Sequence, residues 1–239
     1  MSIYDRQFFA ELEDEVRSSA AVIVPILTSA LRPSSVVDVG CGTGTWLAAF
    51  QSAGVIDVLG VDGDYVDRAA LNIPVDRFRP ADLSALLRLD RSFDLAISLE
   101  VAEHLPPDRS ESFVDDLTRL APAVCFSAAI PLQGGVDHVN ERWQDEWAAL
   151  FARHGYRPVD LVRKQVWDDQ RVMPWYAQNM LLYVEAGIDL VGNDLPLRLV
   201  HPVRYVDRVN GSGPLSVRQL AREALRTAGA RLRKAGRSA

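Results

Sequence analysis

This chain is short of the residues that build covalent or metal frameworks. Two cysteines in 239 residues, Cys41 in a glycine-rich turn and Cys125 in an apolar run, exclude a disulfide scaffold. The expected compartment is therefore a reducing cytoplasm. Histidine is scarce as well, with four in the whole chain. No apolar run approaches the roughly 20 residues that a membrane-spanning helix needs. Residues 20–31 come nearest, but the stretch is short, contains Pro25 and follows a charged segment. Residues 1–6 lack the layout of a signal peptide. Neither an internal repeat nor a low-complexity segment is present, so a solenoid is excluded.

What is there is enough for one sizeable core, since 48% of the residues are hydrophobic. The net charge of −6 hides an asymmetry. From residue 211 onward seven basic residues (Arg218, Arg222, Arg226, Arg231, Arg233, Lys234, Arg237) face a single acid, Glu223, a net +6 that leaves −12 on the rest. An acidic body speaks against a nucleic-acid groove, which is normally basic.

The most informative stretch is residues 36–46, Val-Val-Asp-Val-Gly-Cys-Gly-Thr-Gly-Thr-Trp. The β-branched run Val36, Val37, Val39 reads as a buried strand, Gly40 breaks it, and Leu47, Ala48 and Phe50 continue at helical spacing. A strand, a glycine turn and a helix N-terminus form the usual cradle for a nucleotide-like ligand. The spacing of Gly40, Gly42 and Gly44 differs from the dinucleotide pattern, in which a third glycine stands at the position of Thr45. Asp38, two residues upstream, would repel a pyrophosphate and suits a cation. Further acids end further apolar runs: Asp62 after residues 55–61, Asp82 in the loop after a third short strand, and Glu100 after residues 93–99.

These residues resemble the class I S-adenosylmethionine (SAM)-dependent methyltransferases over about residues 20–185. The resemblance implies that Asp38, Gly40, Cys41, Gly42, Thr43 and Gly44 surround the methionyl end of SAM. It implies that Asp62, with Gly63, receives the ribose hydroxyls. Asp82 then accepts from the adenine amino group, the backbone of Leu83 reaches the ring, and Leu99 ends the strand beneath.

Alternation of strands near residues 36–39, 56–61, 75–79, 93–99 and 123–129 with helices predicts an α/β fold with a doubly wound, mostly parallel sheet of seven strands. Two strand candidates at 159–166 and 177–184 close it as an antiparallel edge hairpin. A helix over 140–154 carries Trp143, Trp147, Leu150 and Phe151 on one stripe, with Gly155 after it. The expected organisation is an N-terminal pair of helices over 1–33, a catalytic domain over 34–186, an extended arm and linker over 187–214, and a basic helix over 215–239. That last helix has an apolar stripe suited to its own domain or to a partner subunit in a homodimer. Its arginines also suit an anionic membrane surface.

Glu100-Val-Ala-Glu103-His104 stands where the fourth strand meets its helix. On a helix starting there, positions i, i+3 and i+4 share a face, so two carboxylates and an imidazole converge. The motif is similar to ubiquinone-pathway O-methyltransferases and to small-RNA terminal-ribose 2′-O-methyltransferases. In the latter, two Glu and one His bind a divalent ion together with a second His from the loop after strand five. His138 stands at that place here. The resemblance thus implies a Mg²⁺ site of Glu100, Glu103, His104 and His138, with adjacent acceptor hydroxyls filling the open positions. Without a metal, Glu100 and His104 form a plain acid–base pair with His104 as base. Trp167 and Trp175 either pack in the hairpin core or present a flat face to a sugar ring. The expected activity is methyl transfer to a hydroxyl of a small acceptor, a sugar or other vicinal diol from glycan or secondary-metabolite biosynthesis. RNA ribose methylation and a non-catalytic SAM-binding subunit are the alternatives.

Overall fold

The structure, a computed structural model, describes residues 3–193 and 196–211. The elements run α1 (Ile3–Leu31), β1 (Ser35–Val39), α2 (Thr45–Ser52), β2 (Asp57–Asp62), β3 (Phe78–Pro80), β4 (Leu95–Leu99), α3 (Ser110–Leu120), β5 (Ala123–Ser127), α4 (Gln144–Arg153), β6 (Tyr156–Val159), α5 (Arg163–Val166), α6 (Pro174–Asn179), β7 (Leu181–Glu185) and α7 (Pro202–Gly211). They build a seven-stranded sheet in the order β3-β2-β1-β4-β5-β7-β6. Strands β1 to β5 pair in parallel, and β7 runs antiparallel to both β5 and β6.

The apolar runs form the central strands because both faces of a parallel sheet are covered. Val36, Leu95 and Ile97 pack with Ile23, Leu27, Leu47 and Phe50 on one side. Val37, Val39 and Ala96 pack with Phe113, Leu117, Trp147 and Phe151 on the other. Reversal of the sheet order between β1 and β4 opens a crevice at their carboxyl ends, the place where such sheets take ligands.

Several expected boundaries move. Where two helices were expected, Ile3–Leu31 form one, with Pro25 inside it. The proline leaves the Ala21 carbonyl without its helical donor, and in the following turn the Thr28 hydroxyl donates to the Val24 carbonyl at 2.9 Å. Residues 75–77 are a 3₁₀ turn, and the third strand is confined to Phe78–Pro80. The strand expected over 159–166 ends at Val159. Asp160 there accepts from the Arg163 backbone N–H at 3.2 Å and from its Nε at 2.9 Å, which starts a helical turn instead. The strand expected over 177–184 starts four residues late, since Pro174 opens α6.

The 202–206 part of the expected arm is helical, as α7, which extends to Gly211 and belongs to a second compact unit starting at Pro202. The rest of the linker and the basic helix of 215–239 lie outside the described residues. Among the described residues no helix is long and apolar enough to cross a membrane. Cys41 and Cys125 are both free and buried.

Candidate cofactor cleft and catalytic cluster

The turn after β1 needs its glycines for two reasons. Gly40, Gly42 and Gly44 have φ of +91°, +52° and +81°, the region that other residues enter only at a cost. At Gly40 space is also lacking, because a Cβ would lie 2.3 Å from Cγ2 of Val101. At Gly42 a Cβ would meet nothing within 4 Å and would project into open space. The Gly40 and Cys41 N–H groups are tied to the Val61 carbonyl at 2.8 and 3.2 Å, so the turn is fastened to β2. Asp38 lies in β1, with Gly60 and Ile97 as its neighbours in register, and is 2% exposed. Burial, reinforced by the charge of Asp62, raises its carboxyl well above the ordinary value.

Asp62, the last residue of β2, is bonded on both oxygens. Its Oδ2 accepts from Gly42 N–H at 2.7 Å. Its Oδ1 accepts from Gly63 N–H at 2.6 Å and from the Tyr65 hydroxyl at 2.5 Å. Asp82 accepts from Ser84 through its N–H at 2.9 Å and its hydroxyl at 2.6 Å. These bonds hold the Asp82 carboxyl below its ordinary value.

A cleft of about 500 Å³ opens between these loops, lined among others by Gly40, Asp62, Gly63, Asp82, Leu83, Glu100 and His104. Asp38, Cys41, Gly42, Thr43, Gly44 and Leu99 are not part of its wall. Thr43 faces the Thr45 hydroxyl at 3.2 Å and receives the Asn72 amide at 3.2 Å, while Leu99 is a buried core residue. Tyr65, Val101 and Leu105 also line the cleft and were not singled out in the sequence. Nothing in their spacing distinguishes them from ordinary loop residues.

The catalytic cluster forms by a different route from the one expected. Glu100 does not begin a helix: its φ is +55° and its N–H donates to the Ser127 carbonyl at 2.9 Å. Only Ala102–His104 is helical, as a single 3₁₀ turn, so positions 100, 103 and 104 share no helix face. The Glu100 carboxylate is held by side-chain amides, Gln133 Nε2 at 3.0 Å and Asn179 Nδ2 at 3.2 Å. These amides too were missed in the sequence, being far from Glu100 along the chain.

Glu103, His104 and His138 nevertheless converge, with one ligand atom from each within 4.8 Å of the others; Glu100 is outside that group. The two imidazole rings meet edge to face at 4.9 Å. His138 Nδ1 is 3.0 Å from Oε1 of Glu141. That carboxylate also takes the Leu132 N–H at 2.9 Å and the Gly134 N–H at 3.2 Å, which staples the loop after β5. Glu103 is 1% exposed, with the Glu100 carboxylate and the backbone of Glu103 and Ala129 beside its own. Burial, then the charge of Glu100, pushes its carboxyl up to about 9. His104 is shifted down by burial and by the neighbouring His138, which favours a neutral imidazole. Trp167 and Trp175 do not line the cleft. Trp167 packs on His201 at 4.7 Å and Trp175 against Tyr176 at 6.1 Å.

Solved structures share this architecture. The sugar N-methyltransferase KedS8 from Streptoalloteichus sp. ATCC 53650 superposes with a TM-score of 0.58 at 16% identity, over 77% of this chain and 93% of that one. Magnesium protoporphyrin IX methyltransferase from Synechocystis PCC 6803, with S-adenosylhomocysteine bound, gives 0.52 at 18% identity, over 74% and 88%. The methyltransferase domain of a bacterial Hen1 gives 0.53 at 20% identity, over 75% and 100%. Among curated proteins the sequence has no match. The family described as "Methyltransferase domain" matches residues 4–161, more than half of the chain. With the sheet order and the glycine turn, that match makes this chain a member of the class I SAM-dependent methyltransferases.

Proposed function

We propose that this methyltransferase transfers its methyl group to a hydroxyl of a small acceptor carrying adjacent hydroxyls, a sugar or related diol. The observation that carries this reading is the convergence of Glu103, His104 and His138, of which His104 reaches the wall of the cleft lined by Asp62 and Asp82. In this arrangement Asp62 and Gly63 hold the ribose, Asp82 and Leu83 the adenine, and the backbone at Gly40 and Gly42 the methionyl part.

The proton follows a short path. As the acceptor oxygen attacks the sulfonium methyl, the new C–O bond forms and the C–S bond breaks with its electron pair remaining on sulfur. The hydroxyl proton passes to the neutral imidazole of His104. The backbone and charge of Asp137 favour the resulting imidazolium, while Glu100 is held at the cleft wall by Gln133 and Asn179.

The donor set also fits a divalent cation, because one ligand atom from each of Glu103, His104 and His138 lies within 4.8 Å of the others and the buried Glu103 carboxylate, set beside that of Glu100, calls for a counter-charge. Glu103, His104 and His138 would hold it, His104 then serving as a ligand in place of the base, with His138 oriented through its Nδ1 bond to Glu141. A bound cation would lower the pKa of an acceptor hydroxyl. Mg²⁺ prefers oxygen ligands, so two imidazoles favour a softer ion such as Mn²⁺.

The acidic body weighs against RNA as acceptor, and an intact base beside the cleft weighs against a non-catalytic subunit. Methyl transfer measured across free sugars, catechols and oligoribonucleotides, with product analysis, tests the reading. Transfer to the diols and not to the RNA is expected. Transfer to an amine, or to RNA alone, overturns it.

A further inference from the structure

Asp62 is positioned to receive a ribose, yet its oxygens are already nearly full. A carboxylate offers about four lone-pair sites. Gly42 N–H takes one on Oδ2, and Gly63 N–H and the Tyr65 hydroxyl take both on Oδ1. The two backbone donors belong to the turns that build the cleft and stay in place. One acceptor site is left, whereas a ribose with two hydroxyls needs two.

We propose that Tyr65 is a latch on the cofactor site, its phenol standing in for one ribose hydroxyl on Asp62 and giving way when the cofactor binds. The inference rests on the reading that Asp62 holds the ribose. Tyr65 is suited to this exchange. It is 85% exposed, so packing does little to retain it, and it lies in the turn after β2, where rotation disturbs no core residue. Its ring lies against Gly63, where an added Cβ would fall 2.0 Å from Cε1 of Tyr65. Any side chain at position 63 would therefore push the ring off and unmake the latch. The phenol stays a donor, because partial burial and the bond to Asp62 raise its pKa further above the ordinary tyrosine value. The consequence is selectivity. A nucleoside with both ribose hydroxyls must displace the phenol, whereas one lacking a hydroxyl can use the single free site and leave Tyr65 where it is.

Calorimetry of S-adenosylhomocysteine and its 2′-deoxy analogue, on the wild type and on Tyr65→Phe, tests this. The variant keeps the ring and loses the competing hydroxyl. The expected result is three- to tenfold tighter binding of S-adenosylhomocysteine by the variant, a hydrogen bond's net worth, with no comparable gain for the 2′-deoxy analogue. Unchanged or weaker binding of S-adenosylhomocysteine by the variant overturns the latch, as does an equal gain for both ligands. Asp62→Ala, shown folded by circular dichroism, separates the two levels. If it binds S-adenosylhomocysteine as well as the wild type does, the ribose assignment itself has failed and the latch with it.

Discussion

Two glycines separated by a single residue, Gly40 and Gly42, should respond to the same substitution in different ways. At Gly40 an alanine meets two penalties. The φ of +91° is a strained region for any residue with a Cβ, at about 1–3 kcal/mol. The methyl would also sit 2.3 Å from Val101, and forcing Val101 aside costs about another 1–3 kcal/mol. For a domain of this size about 2–4 °C of melting temperature goes with each kcal/mol, so Gly40→Ala should melt roughly 5–20 °C below the wild type. At Gly42 the φ of +52° is close to the left-handed minimum that alanine tolerates for about 1–2 kcal/mol, and no atom lies within 4 Å. Gly42→Ala should therefore melt only a few degrees lower. On the proposed placement of the methionyl part against this turn, it should weaken SAM binding at least tenfold, about 1.4 kcal/mol. Thermal denaturation and calorimetry on both variants decide this. Adding Val101→Ala to Gly40→Ala should recover part of the loss. Equal melting losses in the two single variants, or normal SAM affinity in Gly42→Ala, would refute the division between a structural and a cofactor glycine.

Asp38→Asn tests the buried carboxyl of β1. Because its folded pKa is raised, the unfolded chain gives up the proton first, and wild-type stability falls as pH climbs from the ordinary value of 3.8 toward the folded one. The melting gap in favour of the variant should be wider at pH 8 than at pH 4.5; a constant gap refutes it. Asp116 is fully buried between Arg109 and Arg119 and takes the Leu87 N–H at 2.9 Å. Removing it leaves a buried guanidinium unpaired, so Asp116→Ala should lose about 3–5 kcal/mol in urea denaturation, and a loss below 1 kcal/mol contradicts that account. If a cation joins the cluster, EDTA should suppress turnover and Mn²⁺ restore it, and His138→Ala should lose turnover with SAM affinity intact. Full activity in EDTA would leave His104 as a plain base.

The central strands could be read from the sequence because β-branched runs with an acid at the end have few other uses. Asp62 and Asp82 reach the cleft for that reason. Pattern failed where a distant group intervenes. The run after Val159 looks like strand until Asp160 captures Arg163, whose guanidinium reaches the Pro196 and Leu197 carbonyls at 2.9 and 2.8 Å. At Glu100 the left-handed backbone has no glycine to announce it, so a helix was expected where the chain turns sharply. Glu103, His104 and His138 meet all the same, because a 3₁₀ turn and a stapled loop bring them together in place of a helix face. Tyr65 gave no warning, since its role depends only on where a turn drops its ring.

The position of β7 bears on how this chain is made. β6 leaves the ribosome first, yet its sheet partner is β7, which lies between it and β5. Until residues 181–185 emerge, β5 is a bare parallel edge and β6 has nothing to pair with. A nascent chain halted before Leu181 thus exposes an edge of Ala123, Val124, Cys125 and Phe126, open to pairing with other chains. The segment just before β7 is tied to α1, where Met173 N–H donates to the Ser19 hydroxyl at 3.0 Å across 154 residues. Contacts of such separation close late. The sheet is therefore sealed by almost the last piece of the domain to be synthesised, and chaperone dependence should concentrate in that interval.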